Sequence, residues 1–159
     1  MNVRKKEPED QWWVEAILNE RWGGEGQVVV HGEIFDARLL AALIAGEQEG
    51  LATYQIVRTN DIVFAELITL DAIRANRGVG TSLIEALASK LRTEGLSILR
   101  VTTTNDNLNA LRFYQRRGFR LKALRPGGVD EARRLKPSIP AVGEYGIPIR
   151  DEVELERHI

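Results

Sequence analysis

Asn107-Leu108-Asn109-Ala110-Leu111-Arg112-Phe113-Tyr114-Gln115-Arg116-Arg117-Gly118-Phe119 is the stretch on which the reading of this chain turns. Asparagine starts helices because its short side chain accepts from backbone N–H groups that have no partner in the first turn. Glycine just past the last turn ends them. The spacing therefore predicts a helix over Asn107–Arg117 closed by Gly118, with Asn105 and Asp106 as further cap candidates. Ala110 keeps one face of that helix thin, and Tyr114, two turns on from Asn107, can point its hydroxyl to the same cleft. Asn107 can hydrogen-bond the backbone and also an amide-bearing ligand. In isolation, a plain cap and a core aromatic with its hydroxyl at the rim would look the same.

Working outward, Leu96–Thr103 precedes this helix and is β-rich. Before it, Leu83, Ile84, Leu87 and Leu91 line one face of a second helix, which Gly95 ends. That helix opens on the turn Arg77-Gly78-Val79-Gly80-Thr81. A turn from a strand into a helix exposes unpaired N–H groups at the positive end of the helix dipole, which makes an anion site. Gly78 and Gly80 let backbone approach a pyrophosphate with no Cβ in the way, and Thr81 adds a hydroxyl. A dinucleotide fingerprint would want a third glycine where Leu83 stands, and a phosphate-binding P-loop would want Lys after Gly80. The alternative is a plain strand-to-helix turn that glycine eases. Upstream, Ile62–Leu70 is almost continuously apolar and predicts a central strand.

The flanks complete one mixed sheet. Pro8-Glu9-Asp10 suits a helix first turn, Trp13, Val14, Ile17, Leu18 and Trp22 recur at helical spacing, and Gly23-Gly24 ends the run. Trp12, Trp13 and Trp22 are expected to pack this helix, and Met1–Lys6 to be loose. Gln27–Phe35 predicts one strand, and Leu40–Ala45 a strand paired with Leu51–Val57 across the Gly46–Gly50 turn. Phe119–Leu124 predicts a strand, Arg125–Ile149 a long proline-bearing connection, and Arg150–Glu156 a half-buried strand with Val153 and Leu155 inward. Hairpins, then alternating strand and helix, then a returning strand give an α/β class: one domain over residues 1–159, a central mixed β-sheet flanked by helices.

Composition narrows the function. The 159 residues carry a formal net charge of −1, which gives no electrostatic case for nucleic acid or an anionic membrane as partner. The absence of cysteine excludes disulfides, thiolate metal sites and a cysteine nucleophile. With His31 and His158 the only histidines, a multi-histidine metal centre is not expected. No apolar run reaches membrane-spanning length and the polar start lacks a signal-peptide core, so a cytoplasmic location is the expectation.

Asn107, Ala110, Phe113-Tyr114 and Gly118-Phe119 occupy every fixed position of Asn-x-x-Ala-x-x-Phe/Leu-Tyr-x-x-x-Gly-Phe. With the glycine turn one helix and one strand upstream, Ile62–Leu124 resembles the acyl-CoA-binding core of the GNAT family of N-acetyltransferases. The turn departs from that family's Arg/Gln-x-x-Gly-x-Gly/Ala pattern at its first position, Ala75. Arg74, Arg77 or the amides alone would stand in. The resemblance implies a GNAT-like fold and an enzyme moving an acetyl group from acetyl-CoA, as co-substrate and without metal, to a primary amine by direct attack. Acetyl-CoA would lie in a splay between the Ile62–Leu70 and Leu96–Thr103 strands. Its pyrophosphate would rest on Arg77, Gly78, Val79, Gly80 and Thr81, and its pantetheine would meet Leu70, Ala72 and Asn107. Tyr114 would protonate the departing thiolate.

Glu66 stands inside an apolar run, where a carboxylate is costly unless paired or functional, and it resembles the base glutamate of several family members. A glutamate at an exposed sheet end or in a salt bridge is its other reading. Asp71 and His31 are further base candidates, with a structural role expected for His31. Arg116-Arg117 is expected to be a solvated helix end. Loops 21–26 and 127–145 would shape the acceptor pocket. The partner would be a small-molecule or peptide amine, and a homodimer stays open. So do three rival readings: a non-catalytic CoA-binding or regulatory module, an acyltransferase using another acyl-CoA or a hydroxyl acceptor, and an interaction domain that binds no CoA.

Overall fold

The computed structural model describes residues 1–159. In chain order its strands are β1 (Val3–Lys5), β2 (Gln27–Val30), β3 (Glu33–Asp36), β4 (Ala41–Ala45), β5 (Gly50–Arg58), β6 (Val63–Ala72), β7 (Ile98–Thr104), β8 (Arg120–Arg125) and β9 (Glu152–His158). Its helices are α1 (Gln11–Trp22), α2 (Val79–Thr93), α3 (Leu108–Arg116) and α4 (Gly128–Leu135). Seven strands form one sheet in the order β1-β4-β5-β6-β7-β9-β8, with β2 and β3 a separate hairpin. β6 is the middle strand, as its apolar run predicts. Only β6 and β7 run parallel, joined by the α2 crossover; every other pair is antiparallel.

Each face of the sheet buries its own apolar cluster. On one face Leu83, Ile84, Leu87 and Leu91 of α2 pack on Leu67, Leu99, Val101 and Leu155, with Tyr114 and Phe119 closing the end. On the other, Val14, Ile17 and Leu18 of α1 and Val28 and Val30 of β2 pack on Ile44, Leu51 and Ile68. Leu87 is fully buried in the larger cluster. Leu87→Ala should therefore destabilise the fold by about 3 kcal/mol, the usual cost of a core leucine truncation, as a drop in the urea midpoint at unchanged slope.

Two irregularities of β6 make room for a site. Its parallel pairing with β7 covers only Ala65–Leu67 against Leu99–Val101, so beyond Leu67 and Val101 the strands diverge. β5 meanwhile pairs Tyr54 with Leu67 and Thr53 with Thr69, which leaves Ile68 as the extra residue of a β-bulge. Asp71 is five positions on from Glu66, so regular alternation would put them on opposite faces. The bulge resets the alternation, and both face α1 and the β2–β3 hairpin, where His31 meets Glu66 and Trp22 meets Asp71.

Four expectations are corrected. Residues 3–5 are not loose: β1 pairs with β4, and Arg4 grips Asp10 through two hydrogen bonds of 2.7 and 2.8 Å. That guanidinium, helped by the Glu7 amide, holds the Asp10 carboxyl down at about 2. Gln27–Phe35 is not one strand but a hairpin turning at His31-Gly32, both with positive φ. The 125–149 connection contains α4, whose first turn is hidden behind Gly127-Gly128 and whose only inward residues are Val129 and Ala132. Trp12 is 67 % exposed and does not pack α1 onto the core.

Candidate active site

Where β6 and β7 part, a cavity of about 600 Å³ opens on the α2–α3 side. Leu70 and Ala72 of β6 form one wall, and residues 74–81 of the glycine turn form the floor. Ala110, Phe113 and Tyr114 of α3 form the opposite wall. Gly78 is the N-cap of α2 with a left-handed backbone (φ 73°), a conformation that glycine adopts at no steric cost. The amides of Val79, Gly80 and Thr81 follow it in the first turn, where no helical acceptor exists for them. A Cβ on Gly80 would lie 3.0 Å from the Phe113 ring, so glycine here lets α2 and α3 approach closely.

The charge of this cavity is one-sided. Arg74, Arg77, Arg112, Arg116 and Arg117 line it, no carboxylate does, and none of the five is in an ion pair. Arginines with a helix N-terminus at one end suit a polyanion with several phosphates. Arg117 is fixed rather than solvated: its Nε donates to Thr81 Oγ1 at 2.7 Å, and its guanidinium lies 3.8 Å over the Phe113 ring. For Arg117 the expectation of a solvated helix end is thus corrected, while Arg116 at the rim of the cavity is exposed as expected. No sequence signal separates the two cases, because the contact depends on how α3 packs against the start of α2.

Tyr114 is buried between Phe113 and Phe119, both edge-on with centroids 5.3 Å away. Burial pushes its phenol well above the usual range, and the charge of Asp71 adds to the rise. The group therefore keeps its proton through neutral pH, where it is available to donate. Asn107 acts as the cap of α3, its side-chain oxygen accepting from the Ala110 amide at 3.1 Å. It stands outside the cavity lining, which Asn109 joins instead.

Glu66 lies on the far face of β6, one residue short of the point where the strands part, and its side chain is 4 % exposed. His31 Nε2 is 3.0 and 3.1 Å from its two carboxylate oxygens. Asp71, also buried, accepts from the Trp22 indole N–H at 2.9 Å, and burial raises its pKa against the opposing effect of that hydrogen bond. Around them, Arg125 donates to Glu152, Glu154 and Thr102. The sheet thus carries a cationic cavity on one face of the splay and buried carboxylates on the other. No group of side chains with metal-binding geometry is present.

A model of the Acetyltransferase (GNAT) family matches residues 7–119. The uncharacterized protein YdhI of Bacillus subtilis (strain 168) is 39 % identical over 134 residues, 84 % of this chain and 83 % of its own. Among solved structures, an acetyltransferase of the GNAT family from Streptococcus pneumoniae superposes with a TM-score of 0.70 at 20 % identity, covering 99 % of both chains. A Bacillus subtilis acetyltransferase in complex with CoA gives 0.66 at 18 % identity, covering 99 % of this chain and 98 % of its own.

Proposed function

The chain belongs to the GNAT acetyltransferase family, and from that premise we propose that it transfers an acetyl group from acetyl-CoA to a primary amine by direct attack. The observation that carries the donor is the five-arginine cavity opening on the first-turn amides of α2. The pyrophosphate of CoA lies over Gly78–Thr81 with Arg77 beside it. Its pantetheine runs along Leu70–Ala72, where β6 has no partner on the β7 side. The thioester then points through the splay toward the face that carries Glu66.

An ammonium has no lone pair, so the acceptor must lose a proton before it can attack. Glu66 takes it. The amine nitrogen bonds to the thioester carbon, the C–S bond breaks, and the sulfur leaves as a thiolate. Tyr114 gives the sulfur its proton as acid and regains one from solvent, while Glu66 and the attacking nitrogen each release one to solvent. The products are the amide, the CoA thiol and one released proton.

The test is CoA-thiol release from acetyl-CoA with spermidine, tyramine, lysine amide and a peptide with an N-terminal alanine. Turnover with at least one is expected. Saturating CoA should also raise the melting point. A native-state ligand at a hundred times its dissociation constant adds about 2.7 kcal/mol, or about 5–10 °C for a chain of this length. A melting shift without turnover would favour a non-catalytic CoA-binding module, and no shift would remove CoA from the account.

A further inference from the structure

We propose that His31 is the positioning residue of Glu66: its imidazole holds the carboxylate in one orientation, and its charge sets how readily that carboxylate takes the acceptor's proton. The proposal rests on the reading of Glu66 as base.

Geometry carries it. His31 occupies a two-residue hairpin turn with φ 41°, a conformation in which asparagine or glycine is the usual choice. The turn sets the ring against β6, where it meets Glu66. Its backbone N–H donates to Glu152 on β9 at 3.2 Å while its Nε2 reaches both oxygens of Glu66 on β6. Two buried carboxylates on strands either side of β7 thus pin one residue above the splay. Phe35 braces the ring edge-on with centroids 5.9 Å apart. Glu66 is almost enclosed but the imidazole is 30 % exposed, so the ring is the part of the pair that meets solvent.

The charges facing the pair come from several elements: Glu33 on β3, Arg100 on β7 in register with Glu66, Arg125 on β8 and Glu152 on β9. Arg100 and Arg125 are spent largely on Glu156 and on Glu152 and Glu154. The hydrogen bond to Glu66 raises the His31 pKa above its ordinary 6.5, burial opposes it, and the charges of Glu66 and Glu33 outweigh that of Arg125. Below that raised pKa an imidazolium neutralises Glu66 and makes it a poor base. Above it the neutral ring still donates through Nε2, and the carboxylate recovers its basicity. The stabilisation that the charged pair lends the hairpin runs the other way. It is complete below about 6.5 and fades as pH climbs through the raised value.

Two measurements test this. In an NMR titration of the full chain, only His31 and His158 contribute imidazole signals, and His158, 78 % exposed, is the control. Glu66→Gln should lower the His31 midpoint and leave the His158 signal unmoved. An unchanged His31 midpoint would overturn the coupling. In the second, CoA release is followed across pH with the panel amine that turns over fastest. Gln at position 31 keeps a donor where Nε2 stands but cannot titrate. His31→Gln should keep kcat at high pH and lose the wild-type limb above 6.5, while the amine's own limb persists. His31→Ala should lower kcat about tenfold, the scale of one hydrogen bond to a charged group, with the KM for acetyl-CoA unchanged. Wild-type kcat and pH profile in both variants would overturn the proposal. Full turnover in Glu66→Gln would instead remove the base assignment itself, so the two failures are told apart.

Discussion

Replacing Tyr114 with phenylalanine should slow turnover about a hundredfold, within the usual range for a positioned proton donor, while the melting shift given by CoA stays intact. The substitution removes one oxygen and little else. Phenylalanine keeps both edge-on contacts to Phe113 and Phe119, so the fold and the cavity wall survive. Burial and Asp71 raise the phenol pKa, which keeps its proton in place and also makes it a weaker acid than a thiol. Its benefit comes as a hydrogen bond donated while charge develops on sulfur, the proton following as the C–S bond breaks. The wild-type pH profile should accordingly show no loss of activity from Tyr114 ionisation on its alkaline side. Unchanged turnover in the variant would take Tyr114 out of the mechanism.

Glu66→Gln should cost about a hundredfold near neutral pH, with the deficit shrinking as pH approaches the acceptor amine's own pKa. A lysine-like amine near 10.4 is almost wholly protonated at pH 7 and depends on a base, whereas at high pH it arrives neutral. Glutamine is isosteric, and its carbonyl oxygen still accepts from His31 Nε2, so packing under the hairpin persists. The ratio of wild-type to variant rates is the diagnostic quantity. A ratio that stays flat with pH would mean that Glu66 only holds the hairpin down.

Much of this was legible in the residues. Leu83, Ile84, Leu87 and Leu91 announced α2, and the apolar run 62–70 announced the middle strand, because burial imposes a period that sequence carries directly. The glycine turn and Tyr114 were legible for the same local reason, and the cavity brings them together. What stayed hidden depends on contacts between distant segments. The β1 strand is three residues long and exists because β4 offers it an edge. His31 stands where asparagine would have marked the turn, so the hairpin looked like one strand. Its meeting with Glu66 spans 35 positions and needs the Ile68 bulge's neighbouring strands in place. α4 has three apolar residues in eight, Val129, Ala132 and Leu135, of which the last is exposed, and its opening Gly127-Gly128 looks like a turn.

The brevity of the parallel ladder has a mechanical consequence. β1, β4, β5 and β6 form one half-sheet and β7, β9 and β8 another, and three residue pairs stitch the two halves together above their shared apolar core. A chain of pantetheine threaded through the gap would touch both halves and work as a strut, bracing them where their own ladder ends.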